Sequence, residues 1–526
     1  MLRRLSLMPK LRFTPPGGGG LGALDQWIGR LPIESDPVKS ADALAQFLEY
    51  QRLTGGRPLE RVYALQQLGD CSDRLIDNEA PRLTCHRQRL SADALRLYEA
   101  CDRLLDLLSR GLLDLAEAAL RTPLSIRGRR MFEPTVRAGF HHASRRIRMA
   151  LRARVTPTAD AWRTLHALHA LAVARGFVEN ENEVQPDWIS RRYVGLLLMA
   201  LAEPSKLTAR NLDQVYFYLM RHGHLARLLA VTPKDTKRMP EMRDAQFFVV
   251  PSAGQATVDP LRVGDRTSEI RWILDNRELV TRLRQQLEQL LAGVAPQRLG
   301  LPKDAATTPY RALMQHLATA WGAPAPIRKF RRSRFLPRVD VAAGFRDCWM
   351  MIQALRADPG QRSLHLPAVG LWSITDESPV GIGLRWISGS SAPLLPGLLL
   401  ALRPHGPEPL AIGFVQRVTN SSQHELEVGI ELLDTAPQAI TIRLPRLERG
   451  REQATHDLPV LLLQRAPAYL KNRNGVLAQT GTLGPGIGFT APIAGSPRAL
   501  RVGERIAHWP GLELFALDPF DPALPA

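Results

Sequence analysis

The stretch LWSITDESPVGIGLRW, residues 371–386, decides how the C-terminal part of this chain is read. Two apolar arms flank the hexapeptide DESPVG, which carries Asp376, Ser378 and Gly381 in the pattern D-x-S-x-x-G. On an extended backbone, side chains two residues apart point to the same side, so Asp376 and Ser378 share a face. A carboxylate there can accept hydrogen bonds from N–H groups, and the hydroxyl beside it can donate or accept. Gly381 removes a Cβ where the chain turns with φ > 0 or where another group comes close. Taken alone, the hexapeptide reads as an Asx or Ser turn between two strands.

Upstream, IRKFRRSRFLPR (residues 327–338) supplies two R-x-x-x-R patterns, Arg334 with Arg338 and Arg328 with Arg332. Guanidinium groups bind phosphate oxygens bidentately, pair with guanine O6 and N7, and stack on purine faces. A ligand carrying both phosphates and guanines therefore selects arginine. By itself such a cluster is also what a solvated basic linker or an unspecific anion patch looks like.

Together the two motifs resemble the PilZ domain, the bacterial receptor module for cyclic di-GMP. In that family an R-x-x-x-R at the domain entrance and a D/N-x-S-x-x-G on the barrel face clasp the dinucleotide. Arg334 and Arg338 match the first motif best, because Arg338 runs directly into VDVAAGF, where the family begins its first barrel strand. Asp376, Ser378 and Gly381 match the second without departure. IGLRW, LAIGFVQRVTN and LEVGIELLD read as later strands, so the resemblance spans residues 325–445. It implies that Arg334 and Arg338 hold phosphates and guanine, that Asp376 and Ser378 read a guanine edge, and that Gly381 permits the approach. Arg328, Arg331 and Arg332 are possible additional contacts. One departure is the separation of Arg338 from Asp376 by 37 residues, more than a compact barrel of this family uses. The excess is expected to form a hairpin or an inserted helix.

The chain has 526 residues, enough for two to four domains. Hydrophobic content of 45% and charged content of 23% are ordinary for a globular protein, whereas a net charge of +18 is not. Such a chain favours anionic partners. Arginine far outnumbers lysine, which a GC-rich genome also produces, so the charge alone argues only weakly for nucleic acid. Cys71, Cys85, Cys101 and Cys348 show neither C-x-x-C spacing nor a dense disulfide framework, so buried thiols in a reducing cytoplasm are expected and zinc is not. MLRRLSLMPKLRF lacks a sustained apolar core, and no apolar run approaches the roughly 18–20 residues of a membrane span. A cytoplasmic protein without a membrane span is expected.

Residues 1–20 read as a tail ending in four glycines, and residues 21–320 as an all-α helical domain. In residues 91–122, Leu97, Cys101, Leu104, Leu108, Leu112 and Leu115 recur at spacings of three and four, with Ser91 as N-cap. Residues 158–177 repeat the pattern through Trp162, Leu165, Leu168 and Ala172, with Gly176 as the stop. Further helices are expected over 188–204, 209–230, 269–293 and 310–322, and AQFFVVPSAGQ (245–255) reads as a strand and turn. From about residue 325, strands divided by Gly and Pro predict a PilZ-like antiparallel barrel, followed over 446–526 by a C-terminal β segment or second barrel. The fold class is thus α+β multidomain.

Other constellations carry less. His166 with His169, and His222 with His224, could each ligate a metal, but no H-E-x-x-H accompanies them and packed histidines are the better reading. TGTLGPGIG lacks the G-K-[ST] of a phosphate loop and reads as a turn between strands. No G-x-S-x-G is present, and nothing points to an enzyme. RRIRMALRAR (145–154) could face acidic lipid or nucleic acid, although most such stretches are a helix's solvated face. The resulting expectation is a bacterial cyclic di-GMP receptor with no cofactor and no metal. It would pass ligand binding through its helical domain to a protein partner; type IV pili, flagellar motors and exopolysaccharide machinery are what the resemblance implies. A PilZ-like scaffold without ligand and a basic nucleic-acid-binding regulator are the alternatives.

Overall fold

The computed structural model describes residues 21–54, 58–85, 90–121, 126–176, 188–230, 245–249, 254, 272–322, 337–355, 367–390, 393–406, 408–420, 425–448, 451–463, 467–470, 473–493 and 496–519. The chain divides into two compact units, Met1–Ile327 and Arg328–Ala526.

The first unit is built on α1 (Leu21–Ile28), α2 (Pro37–Thr54), α3 (Pro58–Asn78), α4 (Ala92–Arg121), α5 (Ile126–Arg152), α6 (Ala159–Ala174), α7 (Trp188–Leu201), α8 (Ala209–His222), α9 (Arg277–Leu291) and α10 (Thr308–Ala320). The stripe read along α4 is the core: Leu97, Cys101, Leu104, Leu108 and Leu112 are wholly buried and Leu115 nearly so. Each such leucine contributes about 1.5–3 kcal/mol over leaving it exposed. Ser91 caps the helix, its Oγ accepting from the N–H of Ala94 at 3.2 Å, and Thr158 caps α6 in the same way through Ala161. Gly176 follows α6 at φ 71°, a conformation that other residues adopt at a cost.

Two apolar clusters share the unit. α5 serves both: Phe132, Val136, Phe140, Ile147 and Leu151 face one, while Met149 and Ala150 face the other. Between the faces, buried Arg146 is held by α4, its Nε and Nη2 donating to the two carboxylate oxygens of Asp102 at 2.8 and 2.9 Å and its Nη1 to Asp106. Paired bidentately, this guanidinium sits in the interior without an uncompensated charge.

The unit is not purely helical. β1 (Arg227–Ala230), β2 (Gln246–Val249) and β3 (Trp272–Asp275) form an antiparallel sheet in the order β1-β3-β2. The strand expected in AQFFVVPSAGQ is β2, but its partner strand lies in the segment read as the start of a helix over 269–293. Helical periodicity over 209–230 also runs out early. At Gly223 a single 3₁₀ turn breaks α8, and Arg227–Ala230 pairs with Trp272–Asp275 instead. α9 starts after Asp275, whose carboxylate accepts from the N–H of Arg277 at 3.1 Å. Cross-strand pairing that is non-local in sequence overrides helix propensity here.

The second unit begins with β4 (Arg338–Ala343) and continues through α11 (Phe345–Ala354), β5 (Val369–Ser378), β6 (Gly381–Gly389), β7 (Leu399–Pro404), β8 (Ala411–Asn420) and β9 (Leu426–Asp434). These strands close into an antiparallel barrel in the order β4-β5-β6-β9-β8-β7. Closure removes sheet edges, and Val339, Val341, Trp372, Ile374, Leu384, Val415, Val418 and Val428 fill the inside. The long connection between Arg338 and Asp376 contains α11, an inserted helix. It buries Phe345, Cys348, Met351 and Ile352 in a cluster with Leu399, Ala401 and Ile412, and leaves β4 and β5 directly paired.

A second antiparallel sheet follows: β10 (Gln438–Glu448), β11 (Arg451–Leu463), β12 (Asn474–Gln479), β13 (Gly488–Ile493), β14 (Ser496–Trp509) and β15 (Leu512–Pro519), with α12 (Pro467–Leu470) between β11 and β12. Its order is β10-β11-β12-β15-β14-β13, and the outer strands β10 and β13 lie close enough that it is nearly closed. TGTLGPGIG forms the turns between β12 and β13, with Gly481 and Gly486 at φ 76° and 92°. The chain is therefore α+β: a helical region followed by two six-stranded antiparallel barrels, the second nearly closed. Among the described residues, no helix is long and apolar enough to cross a membrane.

Candidate functional site

The D-x-S-x-x-G segment is the β5–β6 hairpin. β5 and β6 pair through Glu377↔Ile382 and Ser378↔Gly381, leaving Pro379 and Val380 as the two-residue turn. The Ser378 hydroxyl donates to the carbonyl of Gly381 at 3.0 Å, and the N–H of Leu432 on β9 donates to the carbonyl of Val380 at 3.0 Å. Gly381 does not use the left-handed region. A Cβ there would lie 2.7 Å from the carbonyl oxygen of Ile430, so glycine is required by the close approach of β9.

Which side the motif faces follows from register. Trp372, Ile374, Leu384, Ile382 and Val428 point into the barrel. A β-bulge between Ile374 and Asp376 leaves Thr375 unpaired and sets Asp376 opposite Gly383. Residues alternating with the inward set face outward, which places Asp376 and Ser378 together on the outer surface.

The same register defines a strip. Asp376 on β5 pairs with Gly383 on β6, Gly383 with Gly429 on β9, and Gly429 with Arg417 on β8. A Cβ at Gly383 would meet Asp376 Oδ1 at 2.5 Å and Thr375 Oγ1 at 2.7 Å; one at Gly429 would meet Arg417 Cγ and Nε at 2.7 Å. A carboxylate and a guanidinium thus lean from opposite sides over a floor two glycines wide. The strip is bordered by both charge signs, and the missing Cβ atoms leave room for the Asp376 and Arg417 side chains.

Arg338 opens β4 opposite Ser373, and Ser373 pairs with Arg385, so Arg338, Ser373 and Arg385 form the next row on the outer face. Arg338 is exposed, and its backbone is fixed by the His405 N–H, which donates to its carbonyl at 3.0 Å. Arg385 is committed to Glu425 and Glu427 at 3.1 and 2.9 Å. Register therefore brings Arg338, Asp376, Ser378 and Gly381 to one side of one barrel. Arg328, Arg331, Arg332 and Arg334 lie outside the described residues. Gly383, Gly429 and Arg417 were not read from the sequence. Their signal was there: glycines inside GIGLRW and LEVGIELLD mark close approach on strands otherwise rich in β-formers.

His166, His169 and His222 are packed groups, whereas His224 is exposed. His166 Nδ1 lies 2.6 Å from the Tyr193 hydroxyl, and His169 stacks on the Tyr193 ring with centroids 3.8 Å apart. Burial pushes the His169 imidazole down to about 3. His222 is buried and lowered to about 4, chiefly by burial and then by Arg282 and Arg221. Among the described residues, the one group with metal-ligand spacing is Asp73, His141 and His142, in which Asp73 Oδ2 lies 2.7 Å from His141 Nε2. The four cysteines are free and buried, burial raising Cys101 to about 12.

Residues 22–234 match the family model described as the N-terminal domain of the cyclic-di-GMP receptor FimW. The matched segment lies within the helical unit and covers α2 to α8 in full. No curated protein matches the chain.

Proposed function

We propose that the protein is a cyclic di-GMP receptor whose closed barrel, residues 338–434, is a PilZ-like domain that takes the dinucleotide on the outer face of β4, β5 and β6. The observation that carries this reading is the joint placement of Asp376 and Ser378 on that face, beside a glycine-floored strip and one row from Arg338. The match of residues 22–234 to a receptor's N-terminal domain supports the receptor part of this reading, from a different part of the chain.

In this reading Arg338, with Arg334 and the other arginines of 328–332, grips phosphates and stacks on guanine. Asp376 accepts from a guanine N–H edge, and Ser378 keeps the hairpin in shape while its lone pairs remain available. Gly383 and Gly429 leave room for the Asp376 and Arg417 side chains, and Gly381 for the approach of β9. The activity is binding without turnover, in the cytoplasm, and the helical unit carries the signal to a protein partner of a pilus, flagellar or exopolysaccharide apparatus. Motility and biofilm formation are the processes served.

Isothermal titration calorimetry of the full chain with cyclic di-GMP tests the reading. Saturable heat at micromolar ligand, not competed by GTP, is the expected result. No heat at high micromolar ligand from a protein with a folded circular dichroism spectrum would refute it. A steep salt-dependent shift with random DNA or RNA would instead favour a nucleic-acid regulator.

A further inference from the structure

The helical unit holds a cavity of about 250 Å³ between α3, α5, α7 and α8. Five arginines line it, Arg145, Arg148 and Arg152 from α5 and Arg191 and Arg192 from α7. They include most of the basic stretch RRIRMALRAR, which the barrel reading does not use. Leu83, Met149, Leu196 and Met199 give the wall an apolar part, and Asp77, Thr84, Ser144 and Tyr216 add polar groups.

The arginines differ in how their charge is met. Arg145 is paired with Asp73 at 3.1 Å and Asp77 at 2.7 Å, and Arg152 lies 3.5 Å from Asp213. Arg192 donates to His141 Nδ1 at 3.2 Å, and the opposite ring nitrogen, Nε2, faces Asp73. Arg148 and Arg191 have neutral partners only. Arg148 donates to the Tyr216 hydroxyl at 3.3 Å and its guanidinium lies 3.8 Å from the centre of that ring; Arg191 donates to the carbonyl of Met220 at 2.5 Å. Among the described residues, neither is in ion-pair contact with a carboxylate. Both are half-buried, and Arg191 Nε and Arg152 Nε are buried without a hydrogen-bond partner.

Arg146, on the same helix, is by contrast met by two carboxylates. Two residues on, Arg148 is half-buried, and burial first, with the charges of Arg152 and Arg145 against the opposing Tyr216 and Asp213, holds it below the usual arginine range. The same causes, with Arg148 among the neighbouring charges, lower Arg192. Unmet, partly desolvated positive charge around a concave space is costly in the empty protein and is offset when an anion enters. Guanidiniums select phosphate, and an apolar wall selects an organic body attached to it.

We propose that this cavity is a second ligand site, taking a small phosphate-bearing anion of the nucleotide class, with Arg148 and Arg191 as its phosphate contacts. It is distinct from the barrel face and does not depend on it. The test uses the full chain carrying Asp376→Ala, so that the barrel site is weakened in the readout, titrated by calorimetry with GMP and separately with pyrophosphate. Saturable GMP binding is expected, weakened at least tenfold by Arg148→Met or Arg191→Met. Without ligand, Arg148→Met should raise the melting temperature, because it removes an uncompensated charge while keeping an apolar stem. Pyrophosphate binding as tightly as GMP assigns the site to phosphate alone; weaker binding shows that the wall contributes. Absence of binding by both compounds, unchanged affinity in both variants, or binding of a glutamate-rich peptide in their place would overturn the proposal. Should Arg148→Met not fold, Arg191→Met carries the same comparison.

Discussion

The two units place their histidines and arginines differently. The helical unit puts them inside: His142, His166, His169 and His222 are buried, Arg146 is buried between two aspartates, and five arginines ring a cavity. In the β unit His405 and His508 are exposed, with His405 and Asp340 paired at 2.9 Å on the outer wall. Its candidate ligand groups stand on an outer face whose floor is glycine. Helices of 27 and 30 residues give a wide interior that can hold paired charge, whereas a six-stranded barrel has room only for its own apolar side chains. A barrel must therefore recognise a polar ligand from outside.

The largest effect that would break this comparison is loss of the barrel interior. Trp372, 2% exposed inside the barrel, should cost about 3–5 kcal/mol when replaced by alanine. Denaturant unfolding of Trp372→Ala should show the β unit melting early with the helical signal retained. Simultaneous loss of both signals would mean that the units do not respond separately.

Acid should separate the units next. The folded values of His142, His169 and His222, about 4, 3 and 4, lie below the ordinary value of 6.5, mainly through burial, which in His142 outweighs the opposing charge of Asp73. The unfolded chain therefore binds more protons than the folded one once pH drops below about 6.5. The stability these groups contribute is complete above that pH and is lost as pH falls towards about 4. In the β unit the shifted carboxylates among the described residues are Asp340 and Glu513. Burial opposes ionisation of Asp340, but hydrogen bonds from Arg403 and His405 outweigh it; a backbone N–H from Gly481 and then Arg505 lower Glu513. Their contribution persists until pH falls below the ordinary carboxylate range. Circular dichroism between pH 7 and 4 should show helix loss first, and strand signal lost before helix would contradict the comparison.

Two smaller effects sharpen the picture of the outer face. Gly383→Ala puts a methyl where Asp376 Oδ1 lies, so it should shift that carboxylate and weaken cyclic di-GMP binding about tenfold, or roughly 1.4 kcal/mol, without unfolding the barrel. Unchanged affinity would show that the glycine strip is not part of the site. Ser378→Ala removes one hydrogen bond to Gly381 and should cost about 0.5–1.5 kcal/mol of barrel stability by thermal unfolding.

Legibility in the sequence followed the range of the interaction. The α4 stripe and the Ser91 cap are local, and both were readable. β1 and β3 were read as helix because their partnership crosses more than forty residues, from Arg227 to Asp275. At the outer face, Asp376 and Ser378 were visible as a motif, since their shared side follows from period-two alternation. Gly383, Gly429 and Arg417 belong to three strands whose register no local pattern states. The cavity was half legible: RRIRMALRAR showed basic residues, but Arg191 and Arg192 join them only through packing of α7 on α5.

The central claim is that Asp376 and Arg338 belong to one nucleotide-binding face. Calorimetric titration of cyclic di-GMP into the wild-type chain, Asp376→Ala and Arg338→Ala tests it directly. Each variant should bind roughly 10- to 150-fold more weakly, corresponding to about 1.5–3 kcal/mol for a charge-assisted contact, with an unaltered circular dichroism spectrum. Wild-type affinity in either folded variant would contradict the account.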